Sequence, residues 1–539
     1  MMLLLVLVSI AVALFAVFPL TDTDIWWHLA CAREWVTTWT PVREPVVNVH
    51  EYFQQIVAFV YNLGGARLLV AFKAILWGLV FALFLWPSVR TRQDNVIANP
   101  VGVKQSIICF AIFAVILFIF RYQFEIRPVL FSLIFLGIYW NVLPWLFITA
   151  GKSHYLRHKG LGEEHQYSVR IYKARLIASA LLILAIQWFW CRFQGLYILG
   201  LLFAFTVFAF EFEVWNMVVW SWKKLDYKRY WGQLAFVAIM LVMPFLHRDG
   251  PHLFIYPVGL FDRLVGLSPS AAVFASEIAE NRSPITLLMA GENVLQSALM
   301  IVLILAGLAL ACVQWYSRKS PYSSGRLVWQ RTERTEAILD CRLQPFCLVV
   351  TAVLALIAER NFVLFLPVFF AVALKTRFFA RLSSAEGKRS ALYALLPMLL
   401  IAFLFGLWVK SLLAYDSMVA YQRVPVAAAE WMKSHPHSGR LFNDDRAGGY
   451  LAFVNPSDST YIDGRFILKT AEFFENYLRY AESPRVFLHE AELQNMDRVV
   501  LPLRYYARWD KLIATLDSAE NWHVAYHDPF FVVMDRTNR

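Results

Sequence analysis

Apolar residues fall in long unbroken runs through the first three quarters of the chain, and these runs set its organisation. With about twenty apolar residues as the length that crosses a bilayer, the pattern predicts about eleven spans. They lie at 2–20, 66–87, 104–120, 128–149, 174–190, 195–212, 230–247, 292–313, 346–358, 362–375 and 391–409. Between the first two runs, Ile25 to Trp39 and Glu51 to Leu63 are amphipathic instead. In the first of these, Trp27, Cys31, Trp35 and Trp39 recur at helical spacing, so the pair predicts two helices lying in the membrane interface. Pro41 and Pro45 separate them. A second long polar stretch, 248–291, carries His252, Arg263, Glu277, Glu280 and Arg282 between Gly and Pro edges and predicts a lid or binding loop.

After Lys410 the pattern changes. Short apolar runs at Arg498 to Leu501, Trp522 to Tyr526 and Phe530 to Met534 predict strands, and Thr470 to Tyr480 and Tyr505 to Leu516 predict helices. The expected organisation is an α-helical polytopic membrane domain, 1–409, with outside loops at 21–65 and 248–291. A small extracytoplasmic α/β domain follows, 410–539.

Composition agrees: of 539 residues, 59% are hydrophobic and 16% aromatic, more apolar surface than a soluble domain can bury. The first run lacks a charged leader and a small-residue cleavage site, which predicts a retained helix or an uncleaved signal anchor. Cys31, Cys109, Cys191, Cys312, Cys341 and Cys347 form no Cys-x-x-Cys pair and mostly sit in apolar runs, so free thiols are expected. The formal charge of +11 reflects orientation, not a nucleic-acid partner. With a cytoplasmic N-terminus, the inside loops hold about two dozen Lys and Arg and the outside loops about nine. The clusters Lys223-Lys224, Lys228-Arg229, Arg318-Lys319 and Lys388-Arg389 all fall inside. This orientation puts Asp22, Asp24 and the C-terminal domain outside. No Walker loop, dinucleotide glycine motif or zinc-protease motif occurs.

The candidate chemistry therefore lies on the outside face. Asp22 and Asp24 follow the first run immediately, and acids at the edge of hydrocarbon are functional candidates. The plainer reading is a helix cap followed by interfacial tryptophans, Trp26 and Trp27. Arg121, Arg127, Arg192 and Arg360 sit in very short outside connections, where guanidinium forks suit a phosphate but also simply snorkel. The carboxylates suit a general base or a divalent cation.

Aspartates just after the first span, two interfacial helices and a large loop between the seventh and eighth spans resemble the GT-C membrane glycosyltransferases. These include protein O-mannosyltransferases, aminoarabinose transferases and oligosaccharyltransferase catalytic subunits. The matching pieces are 22–29, Gly64-Gly65, Ile-Arg-Pro at 126–128, 190–200, Glu-Arg-Asn at 359–361, Gly-Gly-Tyr-Leu at 448–451 and Tyr-Ile-Asp-Gly-Arg at 461–465. The resemblance implies a bacterial inner-membrane enzyme with a polyprenyl-phosphate-linked sugar donor. The acceptor would be a glycan, lipid or protein, transfer periplasmic and the reaction inverting.

By the same resemblance Asp24 is the expected general base, with Asp22 orienting it or joining it on a Mg or Mn ion. His28, Arg127, Arg192, Arg360 and Glu277 are the substrate-binding candidates. Related sequences usually carry Asn and His in the loop where this chain has Arg192 and Gln194. That departure keeps a non-catalytic assembly protein of the same fold open, and a lipid-linked sugar flippase is a third reading.

Overall fold

The computed structural model describes residues 2–43, 47–90, 100–158, 164–211, 227–317, 342–375, 390–415, 417–504 and 507–537. Pro45, Lys223-Lys224, Arg318-Lys319, Cys341, Lys388-Arg389 and Tyr505 lie outside these. The membrane part consists of α1 (Met2–Phe15), α2 (Asp24–Cys31), α3 (Glu51–Arg90), α4 (Pro100–Ile119), α5 (Pro128–His158), α6 (Glu164–Trp190), α7 (Tyr197–Glu211) and α8 (Tyr227–Val242). It continues through α9 (Gly250–Val265), α10 (Pro269–Glu277), α11 (Pro284–Met289), α12 (Val294–Ser317), α13 (Gln344–Ile357), α14 (Phe362–Lys375) and α15 (Ser390–Leu413).

Each of the eleven apolar runs contains a helix. Among the described residues, four helices are long and apolar enough to cross a membrane: Glu51–Pro87, Pro128–Phe147, Lys173–Trp190 and Val294–Tyr316. The pair Trp231–Leu246 and Gly250–Val265, bent by 104°, makes a fifth if it forms one span. The first run is shorter than expected. α1 ends at Phe15, and Leu20 forms a parallel bridge with Val419, so the end of that run belongs to a seam with the C-terminal segment.

The first loop also departs from the expectation of one helix from Ile25 to Trp39. α2 stops at Cys31 and the chain then extends, because its backbone finds other partners. Trp39 donates its N–H to the Thr460 carbonyl at 3.0 Å, and Thr460 donates to Thr37 at 3.1 Å. α2 is buried within the protein. Ile25, Trp26, Trp27 and Leu29 are buried, with α2 packed between α3 and the C-terminal helix α17 (Asp445–Val454). The expected Glu51–Leu63 helix and the following span meet at a break, with Gly64 at φ −158° and Gly65 at φ 62°.

The C-terminal part adds α16 (Val426–Ser434), α18 (Ala471–Glu482), α19 (Pro484–Leu493) and α20 (Asp510–Asp517) around a mixed sheet. The strands β1 (Arg440–Asn443), β2 (Met496–Pro502), β3 (Trp522–His527) and β4 (Phe531–Arg536) lie in the order β1-β2-β4-β3. Only β1 and β2 run parallel. One apolar core runs from Phe15 and Trp26 in the helices through Tyr450 and Leu451 to Val500 and Phe531 in the sheet. A second cluster, with Phe442, Tyr477 and Trp509, takes in Phe274 of α10, whose ring stacks on Phe474 at 5.1 Å. The second long loop is thereby fastened to the C-terminal part.

Candidate active site

Asp22 lies in the link between α1 and α2, and Asp24 opens α2, its backbone N–H donating to Asp22 Oδ1 at 3.2 Å. Arg127 directly precedes Pro128, the first residue of α5, a position that favours extended backbone. Its Nε and Nη2 donate to Asp22 Oδ2 and Oδ1 at 2.6 and 3.0 Å. Its Nη1 and Nη2 donate to Glu280 Oε2 and Oε1 at 2.7 and 2.8 Å. One guanidinium thus joins three connections distant in sequence, with charge-assisted bonds to two carboxylates.

Arg360, on the 3₁₀ turn Glu359–Asn361, is exposed and donates to the side chain of Asn281, next to Glu280, at 2.7 Å. Behind Asp22, the Thr21 hydroxyl donates to Glu125, and Lys73 lies 3.7 Å from the same carboxylate.

The two accessible acids differ in charge state. Burial works to raise Glu280, but Arg127, with Arg360 and Arg446 farther off, outweighs it and holds the carboxyl at about 2. Asp24 receives none of Arg127's four hydrogen bonds. Burial, with Asp22 beside it, pushes Asp24 up to about 7 against the opposing pull of Arg127. Asp24 is thus the carboxyl of the group whose surroundings oppose its ionisation and whose oxygens are not engaged by Arg127.

The C-terminal part closes over this helix. Gly449 meets the backbone of Trp27 so closely that a Cβ there would lie 2.8 Å from the Trp27 nitrogen. The ring of Tyr450 packs edge-on against Trp26 at 4.8 Å. Gly464 covers Asp24 itself: a Cβ there would collide with Asp24 Oδ1 and stand 3.2 Å from Trp27 Nε1. On either side of Gly464, Asp463 and Arg465 form a buried ion pair. Arg465 also donates to the Trp35 carbonyl and, at 2.7 Å, to Thr37 Oγ1. Lys469 reaches Thr38 Oγ1 at 3.1 Å and Thr40 Oγ1 at 2.7 Å. The motif Tyr-Ile-Asp-Gly-Arg is thus a clamp on the first loop.

Of the expected site residues, Asp22, Asp24 and Arg127 come together and Arg360 stands at their edge. His28 lies among aromatic rings. It is 2% exposed, packed against Trp27, His50 and Phe53, and burial holds its imidazole well below the usual range. Arg192 is spent elsewhere, on Asp249 at 2.8 Å, Glu51 at 3.4 Å and the Asn48 carbonyl at 3.2 Å. Gln194 accepts from Ser132 at 2.9 Å.

Glu277 is exposed, 3.5 Å from Arg508, whereas Glu280 reaches the site. The reason is local: α10 ends at Glu277, and the 3₁₀ turn Ala279–Asn281 redirects the chain. Glu125 carries no signal in the local pattern, since it acts through Thr21 and Lys73, far along the chain.

Of Asp22 and Asp24, the pair expected to hold a divalent cation, Asp22 is committed to Arg127. Both oxygens of Asp22 and both of Glu280 are already engaged by Arg127. Among the described residues, no group of three or more His, Cys, Asp or Glu could hold a metal ion.

The fold is similar to that of the archaeal oligosaccharyltransferase AglB from Archaeoglobus fulgidus in complex with an inhibitory peptide and a dolichol-phosphate. The TM-score is 0.50 and the identity 12%, over 93% of this chain and 69% of that one. It is also similar to the Archaeoglobus fulgidus oligosaccharyltransferase tethered by a disulfide to an acceptor peptide containing the NVT sequon. There the TM-score is 0.50 and the identity 12%, over 92% and 68% of the two chains. No protein-family model matches the sequence, and no curated protein does. The likeness is one of fold alone.

Proposed function

We propose that the protein is a membrane glycosyltransferase that moves a sugar from a polyprenyl-phosphate carrier to an acceptor on the extracytoplasmic face of a bacterial inner membrane. The observation that carries this reading is the separation of roles at the site. Arg127 is saturated by Asp22 and Glu280, which leaves Asp24 as the carboxyl outside those pairs, pushed up to about 7. An acceptor hydroxyl would give its proton to Asp24 as its oxygen bonds to the anomeric carbon. The bond from that carbon to the phosphate oxygen breaks, and the phosphate leaves with the electron pair. Arg360, exposed at the edge of the site, meets the charge that develops on it. Displacement from the face opposite the phosphate inverts the anomeric centre.

No step is routed through a metal ion, because Asp22, one of the two carboxylates expected to hold one, holds Arg127. The AglB fold, seen with dolichol-phosphate, supports a lipid-phosphate donor of this kind. The acceptor class stays open among glycan, lipid and protein.

The test is native mass spectrometry of the gently purified protein, followed by a transfer assay in proteoliposomes with the lipid it retains. A bound polyprenyl-phosphate sugar that is consumed as a glycosylated acceptor forms is the expected result. Ordinary phospholipids alone, even after polyprenyl phosphate is supplied, would move the reading to a non-catalytic protein of this fold.

A further inference from the structure

Arg127 is held between two carboxylates of different standing. The Asp22 side chain is 4% exposed and fixed in the link between α1 and α2, whereas the Glu280 side chain is 44% exposed and rides on a three-residue turn in the second loop. Glu280 presents two oxygens to the guanidinium in a paired arrangement, at 2.7 and 2.8 Å. A phosphate offers the same two-oxygen edge. Arg360, on the separate turn Glu359–Asn361, is exposed and bonded to Asn281 of the Glu280 turn at 2.7 Å. An accessible anion on a short surface turn thus occupies a slot shaped for oxyanions.

We propose that Glu280 is a placeholder: its carboxylate occupies the phosphate position on Arg127, and the phosphate of a prenyl phosphate displaces it on binding. The inference rests on the reading of this site as a phosphate-carrier site. Exchange of one anion for another leaves Arg127 and Asp22 paired throughout, so no buried charge is left alone. It also ties donor binding to movement of the second loop. The displaced turn is joined to Arg360 through Asn281, and to the neighbouring turn by the Glu359 N–H on the Arg282 carbonyl at 3.0 Å.

The sign of one substitution tests this. Farnesyl phosphate is titrated onto the full-length protein in nanodiscs of zwitterionic lipid, with inorganic phosphate and phosphatidylglycerol as separate probes. Glu280→Gln is expected to bind farnesyl phosphate about tenfold tighter than wild type, the order expected once a charge-assisted pair stops competing. Glu280→Ala should move the same way, and Arg360→Ala should weaken binding in both backgrounds. Inorganic phosphate competing as well as farnesyl phosphate would keep the site and assign it to the phosphate group alone. Equal or weaker binding in both Glu280 variants, binding of phosphatidylglycerol alone, or no binding at all would overturn the proposal. Tighter binding without sugar transfer in any variant would keep the placeholder and remove the glycosyltransferase. Sugar transfer by wild type with no gain in Glu280→Gln would do the reverse.

Discussion

Gly464 lies against Asp24 so closely that any side chain at that position would collide with the carboxylate oxygen. The clamp and the candidate base are therefore one mechanical unit. Gly464→Ala is expected to displace Asp24 and to lower kcat by about 100-fold, the scale of a displacement near 1 Å at a reacting group. Donor binding, which depends on the arginine cluster, should be retained. Single-turnover kinetics beside a binding titration separate the two, and wild-type kcat in this variant would show that Asp24 need not sit where it does.

The Asp463–Arg465 pair is almost fully buried, each side chain 2% exposed. Removing one partner strands the other charge, so Arg465→Ala is expected to cost about 3–5 kcal/mol. A thermal melt in detergent should report this as a large loss that Asp463→Asn in the same chain partly restores. A melt unchanged by Arg465→Ala would mean that the first loop does not need the clamp.

His437 sits between Asp458 at 3.1 Å and Asp497 at 2.6 Å. Burial would lower its pKa, but the hydrogen bonds and charges of the two aspartates outweigh that and raise it to about 9. Because the folded value lies above the unfolded value of about 6.5, the stability this group contributes is fully present below that pH. It is lost as pH rises through about 9. The difference in melting temperature between wild type and His437→Gln should shrink from pH 6 to pH 10. A gap that widened with pH would reverse the assignment.

Arg127 fills the place between Asp22 and Glu280, so chelators should leave transfer unchanged. Turnover is to be measured in EDTA and again with added Mn or Mg. Activity that vanished in EDTA and returned with either ion would mean that the carboxylates release Arg127 for a metal.

Much of the helical part was legible in the sequence, because apolar runs of membrane length have few alternatives. Asp22, Asp24 and Arg127 were legible as charges at the ends of those runs. Arg192 had the same signature as Arg127 but is consumed by Asp249 and Glu51, a pairing only the tertiary structure brings about. Glu280 was hidden by an end of helix that its spacing from Glu277 did not reveal. β1 has only four residues and earns its place by parallel pairing with β2, more than fifty residues later in the chain. Trp26 and Trp27 fit an aromatic belt by type, yet they are buried under the C-terminal clamp, with Tyr450 and Gly449 seated on them.

The most direct test of the account is the pH profile of sugar transfer in wild type and Asp24→Asn. With the carboxyl raised to about 7, wild-type kcat/KM should climb with pH through an inflection near neutrality as Asp24 loses its proton. The raised value also means that ionised Asp24 works against the fold above its unfolded pKa, so Asp24→Asn should melt no earlier than wild type at pH 8. Its transfer rate should fall by about 10²- to 10⁴-fold and lose the inflection. A folded Asp24→Asn protein that transfers sugar at the wild-type rate with the same profile would contradict the account at its centre.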